Sequence, residues 1–482
     1  MEDKYIIGID GGTQSSKVVI FDSVGNIVCE ARQPLKPLHM PAHGVAEHPD
    51  DDLWDSIMVA GNKAMALFPY DKSKIIGIGL CTIRCCLVLL KENGALANQA
   101  ISWMDVRLSG KYQPDIPEVK YATTTTGYTT YRLTGEKKDT AANLENPIWP
   151  LDKDKWDWIE DEDEFESFGL EREMLFKLQL PGTILGHVTP EAAVATGFPE
   201  GLPVVATAND KAVEALGAGL SLNSNKGLIS LGTYITSMVY GAENITNSTH
   251  YWSNPACVPY QYLYESSGIR RGMSTVSWIK DMVGDEVALK AEKLGISPEQ
   301  YLDKKAKQIP AGCYGLMTVL DWLAVPWAPY KRGVIIGFEG RHTKASHIYR
   351  SILEGIAMTM KNKMLAMTEE LRLTLNEIVI SGGGSNSDVF MQIFADVFGI
   401  PAVRNKVNSA ASMGSAISAA VALNIYESHE SAIKTMVKVK DVFKPNPENH
   451  TLYSRVNEEV YKTITDYTDE ILKKTQEIFK EN

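Results

Sequence analysis

Near its start the chain reads Tyr5-Ile-Ile-Gly-Ile-Asp10-Gly-Gly-Thr-Gln-Ser-Ser-Lys17-Val-Val-Ile-Phe21. Two apolar runs rich in β-branched residues flank a glycine turn, and this pattern predicts a β-hairpin. The dinucleotide fingerprint and the P-loop both need a helix directly after their glycines, so neither matches a turn that is followed by a strand. The backbone N–H groups of such a turn can still cradle a phosphate. The candidate phosphate contacts are Gly12, Thr13, Gln14, Ser15 and Lys17.

A second copy of this pattern lies near the middle of the chain. Taken alone, the first hairpin is best explained as an ordinary tight turn. However, Lys226-Gly-Leu-Ile-Ser-Leu-Gly232-Thr233-Tyr-Ile-Thr-Ser-Met-Val-Tyr240 again reads as strand, Gly-Thr turn and strand. Two phosphate-type hairpins in two halves predict a duplicated core with a nucleotide between the halves. Asp10, at the end of the first strand, is then the candidate ligand for Mg²⁺.

Length and composition limit the class of protein. The chain has 482 residues, 44% of them hydrophobic, which is enough to build two domains. The net charge of −12 argues against nucleic acid or an anionic membrane as a partner. A charged start runs straight into the first strand, and no apolar run reaches membrane-spanning length. We therefore expect a cytoplasmic protein.

The cysteine pattern favours reduced thiols in the core. Three of the six cysteines lie close together in Cys81-Thr-Ile-Arg-Cys85-Cys86, within an apolar run. This group lacks a second ligand pair at zinc spacing, so metal binding is the weaker interpretation.

Polar side chains follow two predicted strands of the first half. Thr82 and Arg84 come directly after the buried run that ends at Cys81, where ligands usually lie in α/β sheets. A lone arginine there is more often a surface residue that forms a salt bridge. Further on, Trp103 and Asp105 belong to Ile101-Ser-Trp-Met-Asp-Val-Arg107, a group suited to a polyol because the ring packs on carbon and the polar groups bind hydroxyls.

Asp210 is the candidate catalytic residue. The strand Gly201–Ala208 carries Asn209 and Asp210 to its end, just before a helical segment and the second hairpin. In phosphoryl transfer to an alcohol, a carboxylate orients the hydroxyl and accepts its proton. The alternative is that Asp210 is only the N-cap of the helix.

Three stretches of the second half complete the pattern. Gly382-Gly-Gly-Ser-Asn-Ser387 predicts a turn before a helix capped by Ser387 or Asp388, and its glycines would let a flat ring approach the backbone. Gly272 begins another helix. The run Leu452–Phe479 predicts one amphipathic helix. In the first half, by contrast, the charged run Lys153–Glu166 is typical of solvated surface, and we assign it no function.

Together these motifs resemble the FGGY carbohydrate kinases, within the superfamily of sugar kinases, actin and heat-shock chaperone ATPases. The resemblance implies two actin-like (ribonuclease H-like) α/β domains, residues 1–225 and 226–482, with a nucleotide and sugar cleft between them. It favours Asp210 as the base. It also implies a sugar site at Arg84, Thr82, Trp103 and Asp105, and nucleotide contacts at Gly232, Thr233, Gly272, Gly383, Gly384 and Ser387. Asn209 stands where the family often has glycine, and we expect this difference to add a substrate contact.

The chain departs from the family pattern in two places. Between Arg107 and Tyr131 only a short polar stretch is present, so the first family signature is missing. The proline loop of Pro326–Gly333 is contracted. A shortened wall near the sugar pocket leaves the substrate class open.

The resemblance implies transfer of phosphate from ATP, with Mg²⁺, to a ketopentose such as xylulose or to a related polyol. A tetritol, a sugar acid and a signalling furanone remain alternative substrates. From another class, the chain could be a nucleotide-dependent switch like the chaperone ATPases, but the cluster of Trp103, Asp105 and Arg107 argues against it. A binding-only remnant is disfavoured because Asp10, Thr13, Asp210 and Thr233 are all present. We expect a small-molecule carbohydrate as partner and leave a homodimer open.

Overall fold

The computed structural model describes residues 4–42, 44–110, 116, 118–144, 147–283, 285–325, 328–342 and 344–480. In the first half of the chain the strands are β1 (Tyr5–Gly11), β2 (Ser15–Asp22), β3 (Ile27–Pro34), β4 (Glu47–His48), β5 (Ile75–Thr82), β6 (Val88–Leu90), β7 (Ala100–Ile101), β8 (Tyr121–Thr123), β9 (Lys138–Thr140), β10 (Leu151–Asp152), β11 (Asp157–Trp158), β12 (Lys177–Gln179), β13 (Ile184–His187) and β14 (Pro203–Ala206). The helices there are α1 (Asp52–Leu67), α2 (Thr125–Thr134), α3 (Glu162–Glu166), α4 (Pro190–Thr196) and α5 (Asp210–Gly217).

The second half is richer in helix. Its strands are β15 (Lys226–Leu231), β16 (Ile235–Gly241), β17 (Tyr251–Pro255), β18 (Tyr262–Ser266), β19 (Met317–Leu320), β20 (Gly333–Ile336), β21 (Glu377–Ser381), β22 (Ala402–Asn405) and β23 (Val439–Phe443). Its helices are α6 (Gly272–Val283), α7 (Asp285–Glu292), α8 (Pro298–Ala306), α9 (Ala345–Glu370), α10 (Asp388–Phe398), α11 (Ala410–Ala422), α12 (His429–Met436), α13 (Pro447–Glu459) and α14 (Ile464–Lys480).

The two large sheets repeat one topology, which confirms the predicted duplication. The first sheet has the order β13-β14-β5-β1-β2-β3, and the second has the order β17-β18-β16-β15-β21-β22-β23. In each, an antiparallel hairpin begins with the central strand, and two later strands add on the other side in parallel: β5 and β14 in one, β21 and β22 in the other. Both glycine turns therefore lie at equivalent places in their sheets.

Helices cover the first sheet on both faces, and this explains why its central strands read as continuous apolar runs. Ile7 and Ile9 of β1 share a core with Trp54 of α1. Ile6 points to the opposite face and packs in the core that contains Met413 of α11.

Helix α11 comes from the second half of the chain but packs on the sheet of the first. It contacts β1, β5 and α5. The approach needs glycine: a Cβ on Gly79 of β5 would lie 1.9 Å from the carbonyl oxygen of Ser415, and one on Gly414 would lie 2.0 Å from that of Val213. A division at residue 225 thus leaves α11 with the second domain in sequence but with the first sheet in space.

The predicted single helix of Leu452–Phe479 is wrong, because the segment forms two helices, α13 and α14, joined by a 3₁₀ turn at Tyr461–Thr463. Val460 leaves the helical region, with φ −133° and ψ −58°. Tyr461 is buried at the break, and its hydroxyl donates to the carbonyl oxygen of Thr318 at 2.9 Å. A tertiary contact thus interrupts a pattern that is locally helical.

Two other features concern the predictions from composition. The six cysteines all lie in the described part of the chain and form no disulfide there, and Cys81, Cys86, Cys257 and Cys313 are buried. Among the described residues no helix combines the length and the apolarity that a bilayer crossing needs.

The two departures from the family pattern lie partly outside the described residues. These are residues 111–115 and 117 of the short polar stretch and residues 326–327 of the proline loop.

Candidate active site

A cleft of about 1090 Å³ lies between the two sheets and takes lining residues from both. It brings together most of the candidate residues. Those that line it are Asp10, Gly12, Thr13, Gln14, Ser15, Lys17, Arg84, Trp103, Asp210, Gly232, Thr233, Gly383 and Gly384.

The two glycine hairpins meet across this cleft. Gln14 in the first turn donates from Nε2 to Oγ1 of Thr233 in the second, at 3.1 Å. Gly272 lies behind the second turn, where its N–H donates to the carbonyl oxygen of Thr233 at 2.8 Å and a Cβ would lie 2.8 Å from the Gly232 oxygen. Gly272 therefore supports the turn, and its glycine identity follows from this close approach.

Asp10 is a buried carboxylate with one cation nearby. Burial raises the pKa of Asp10, and the ammonium group of Lys17, 3.5 Å from Oδ2, acts in the opposite direction. The described residues contain no cluster of three or more acidic, histidine or cysteine ligands. Mg²⁺ is commonly held by one or two carboxylates together with substrate phosphates, so a single carboxylate beside two phosphate-type turns fits this ion.

Asp210 begins α5 with its carboxylate in the cleft. The cap of that helix is Asn209, whose Oδ1 accepts from the N–H groups of Lys211 at 3.1 Å and Ala212 at 3.0 Å. The alternative that Asp210 is only the N-cap is therefore wrong. Within the described part of the chain, Oδ1 of Asp210 is buried without a hydrogen-bond partner. Burial raises the pKa of Asp210, and the charges of Arg84 and Lys211 oppose the rise.

Lys211 ties α5 to the second sheet. Its Nζ lies 3.0 Å from Oε2 of Glu214 and 2.7 Å from Oγ of Ser230 in β15. Glu214 also accepts from the hydroxyl of Ser381 in β21. Burial acts to raise the pKa of Glu214, but the Lys211 charge and the hydrogen bonds from Ser381 and Ser230 bring it below its usual value. Lys211 and Glu214 thus fix the helix that carries Asp210 to two neighbouring strands of the second sheet.

Arg84 reaches across the cleft to the second sheet. Its Nη1 lies 2.8 Å from Oε2 of Glu265 and donates to Oδ1 of Asn254 at 3.0 Å, while Nη2 donates to Oε1 of Glu265 at 3.0 Å. Its Nε lies 3.9 Å from Oδ1 of Asp210. Arg84 is therefore a cleft residue, and the alternative of a surface salt bridge is wrong because its ion pair with Glu265 is largely buried.

Four predicted contact residues point elsewhere. The Thr82 hydroxyl lies 2.7 Å from those of Thr125 and Thr126, and the Asp105 carboxylate accepts from the N–H of Ala46 at 2.7 Å and from Arg107. Asn209 is fully buried as a helix cap. Ser387 caps α10 and donates to Asp303 at 2.7 Å. These side chains hold the loops and helices around the cleft.

The structure adds residues that the sequence did not single out. Trp252 of β17 lines the cleft together with Trp103, and the two rings are 38% and 39% exposed. Lys153 also lines it. The turn between β10 and β11 carries Lys153, whose carbonyl oxygen accepts from the Tyr262 hydroxyl at 3.2 Å. The interpretation of the run Lys153–Glu166 as solvated surface is therefore wrong in part: Lys153 is exposed but lines the cleft, and Trp156, Ile159 and Phe165 are buried.

The sequence around Glu265 contains a signal that predicts a buried ion pair. It is an acidic residue in the otherwise apolar strand Tyr262-Leu-Tyr-Glu-Ser266, and its side chain is fully buried. Because a buried charge requires a partner, such a glutamate predicts a nearby cation. Which cation it meets depends on the packing of the two halves, and no local pattern contains that information.

Comparison with known proteins agrees with this geometry. Residues 5–114 match the N-terminal domain of the FGGY family of carbohydrate kinases, and residues 227–423 match its C-terminal domain. The chain is 51% identical to the uncharacterized sugar kinase YgcE of Escherichia coli strain K12, over 99% of this chain and 96% of that protein.

Solved structures show the same fold. Xylulose kinase from Rhodospirillum rubrum superposes with a TM-score of 0.81 at 21% identity, covering 97% of this chain and 100% of that one. Gluconate kinase from Lactobacillus acidophilus gives a TM-score of 0.80 at 20% identity, covering 97% and 99%. The chain therefore belongs to the FGGY family of carbohydrate kinases and is a phosphotransferase of that family.

Proposed function

We propose that this carbohydrate kinase transfers the γ-phosphoryl group of ATP to a hydroxyl of a ketopentose such as xylulose, or of a related polyol. The observation that carries the proposal is the buried, unpartnered Oδ1 of Asp210, which lies in the same cleft as both glycine hairpins. A carboxylate oxygen in that position is free to accept a proton from a bound hydroxyl.

The phosphates of ATP would lie between the two turns. Backbone N–H groups of Thr13 and Gly232, with the hydroxyl of Thr233 and the ammonium of Lys17, would supply donors to them. The N–H of Gly12 instead closes the first turn by donating to the carbonyl oxygen of Ser15 at 3.1 Å. Gly383 and Gly384, which line the cleft beyond β21, leave room for the adenosine. Asp10 would hold Mg²⁺, which when bound to the phosphates offsets the charge on the transferring group.

In the proposed reaction the substrate oxygen attacks the γ-phosphorus of ATP. The bond from that phosphorus to the β–γ bridging oxygen breaks, and ADP leaves. Asp210 accepts the hydroxyl proton on Oδ1, so that the products are the sugar phosphate, ADP and a proton. Closure of the two domains around the cleft would exclude water and spare ATP from hydrolysis.

The sugar would lie at the end of the cleft that contains Trp103, Trp252 and Arg84. The two exposed indole rings suit the carbon skeleton of a polyol, and each comes from a different domain. Arg84 retains N–H groups beyond those bonded to Glu265 and Asn254 for the substrate hydroxyls.

An ADP-release assay with Mg-ATP tests the proposal against a panel of pentuloses, pentitols, tetritols, glycerol and gluconate. One substrate with kcat/KM far above the rest would support the kinase and name its acceptor. A nucleotide-dependent switch would instead bind ATP and turn over none of them.

A sugar acid is a second candidate substrate, and Lys153 favours it. The Lys153 ammonium lines the cleft and has no ion-pair partner among the residues that the structure describes. Its carbonyl is bonded to Tyr262, whose strand neighbour β17 carries Asn254 and Trp252, so the lysine lies at the sugar end. A carboxylate on the substrate would supply the missing partner.

For a sugar acid, Lys153→Gln is expected to raise KM by about tenfold, because one charge-assisted contact is lost, and to leave the KM for ATP unchanged. The assay compares an aldonate with the alditol of the same carbon number. Lys155→Gln is the matched control, since Lys155 is exposed and paired with Glu160 at 3.0 Å. Equal KM changes for aldonate and alditol, or turnover of the neutral compounds alone, would contradict the hypothesis that the substrate is a sugar acid. Neither result would contradict the proposed kinase activity.

A further inference from the structure

The guanidinium group of Arg84 lies between two carboxylates. Glu265 engages it from the second domain through two nitrogens, at 2.8 and 3.0 Å, and Asn254 adds a bond of 3.0 Å. On the other side, Asp210 is 3.9 Å from Nε, beyond hydrogen-bond distance. Arg84 is thus bonded to Glu265 and only near Asp210.

Glu265 is built for this contact. Its side chain is fully buried, and besides the two Arg84 bonds it accepts from Nδ2 of Asn254 at 3.1 Å. The facing strand β17 pairs Trp252 with Glu265 and carries Asn254 two residues further on, on the same face of the sheet as Trp252. A bidentate arginine–carboxylate pair fixes both the position and the orientation of the guanidinium group.

Without this pair Arg84 would have a different partner. Asp210 is the other carboxylate beside its guanidinium, and Oδ1 of Asp210 has an open acceptor position. A guanidinium released from Glu265 would need to move by only about 1 Å to donate to that oxygen. Asp210 would then be occupied by Arg84 and unable to accept a substrate proton.

We propose that Glu265 is a positioning residue for phosphoryl transfer: it holds the Arg84 guanidinium on the second domain so that Oδ1 of Asp210 stays free for the substrate hydroxyl. The inference rests on the proposed role of Asp210 as the base. Since Arg84 and Asp210 belong to the first domain and Glu265 to the second, the base is unmasked only when the domains meet across the cleft.

The test is a double-mutant cycle measured as kcat at saturating sugar and Mg-ATP. Glu265→Gln keeps the shape but removes the charge, so Arg84 turns to Asp210 and kcat falls on the order of 100-fold, with the KM for ATP unchanged. In that background Arg84→Gln removes the masking group, so the double variant turns over faster than Glu265→Gln alone. In the wild-type background, Arg84→Gln does not increase kcat.

If Glu265 has only a structural role, the decreases in kcat caused by Glu265→Gln and by Arg84→Gln multiply, and the double variant is the slowest of the three. That result, or a normal kcat in Glu265→Gln, would overturn the proposal. Glu243→Gln is the control, because Glu243 is an exposed glutamate of the same domain whose hydrogen bonds to other described residues run through its backbone. If Glu265→Gln does not fold, Asn254→Ala replaces it: kcat is expected to fall while the KM for ATP holds, and an unchanged kcat overturns the idea.

Asp210→Asn is assayed in parallel to separate the two claims. Near-normal turnover of Asp210→Asn removes the base assignment and this inference with it. Loss of turnover in Asp210→Asn together with a normal Glu265→Gln overturns only the role of Glu265.

Discussion

We expect Asp210→Asn to bind Mg-ATP and sugar with near wild-type affinity but to turn over on the order of 10³-fold more slowly. The amide keeps the size of the side chain, and Asn209 continues to cap α5, so the helix and the cleft persist. What is lost is the oxygen that accepts the proton. Turnover is measured by ADP release at saturating sugar, and nucleotide binding by titration calorimetry.

The chain contains a matched control for this substitution. Asp388 is also the first residue of a helix, follows a capping side chain, and lies beside an arginine, with Oδ1 2.8 Å from Nη2 of Arg404. It lies outside the cleft lining. Asp388→Asn should leave kcat within about twofold of wild type. If Asp210→Asn matches that control, Asp210 has no part in the chemistry.

Gly79→Ala is expected to lower the free energy of unfolding by about 3 kcal/mol. The added Cβ would lie 1.9 Å from the carbonyl oxygen of Ser415, so α11 must move away from β5. The three atoms nearest to this Cβ are all backbone atoms of Ser415, so no side-chain rotation can relieve the clash. Urea unfolding followed by circular dichroism measures the change.

Gly340→Ala is the control, because a Cβ at Gly340 meets nothing within 4 Å and its φ is not positive. It should shift the unfolding free energy by less than about 0.5 kcal/mol. A loss at Gly79 no larger than that would mean that the contact between α11 and β5 is looser than described.

The fold was largely predictable because its decisive signals are local. A strand, a small-residue turn and a strand specify a hairpin within twenty residues, and the repeat at Gly232 indicated two equivalent sheets. The position of Asp210 after a buried strand likewise follows from neighbouring residues. Family membership and the fold class are confirmed, whereas the roles of the individual site residues stay predictions.

The remaining parts of the site depend on contacts between distant segments. Trp252 and Asn254 belong to a strand whose sequence does not indicate which residues it will face. The Asp105 carboxylate could accept hydrogen bonds from sugar hydroxyls, but it accepts from Ala46 and Arg107 instead. A buried carboxylate needs hydrogen-bond donors, and these two are the nearest. Of the two predicted caps of α10, Ser387 and Asp388, the structure shows Ser387, whose hydroxyl oxygen accepts from the N–H of Phe390.

The return of α11 to the first sheet has a consequence for synthesis on the ribosome. When residue 225 has emerged, every strand of the first sheet exists, but the face that contains Ile6 still lacks the helix that will cover it. That face waits for nearly two hundred further residues before Ala422 is made. During this interval the nascent first half exposes the apolar surface that α11 will later cover, so we expect residues 1–225 expressed alone to aggregate more readily than the full chain.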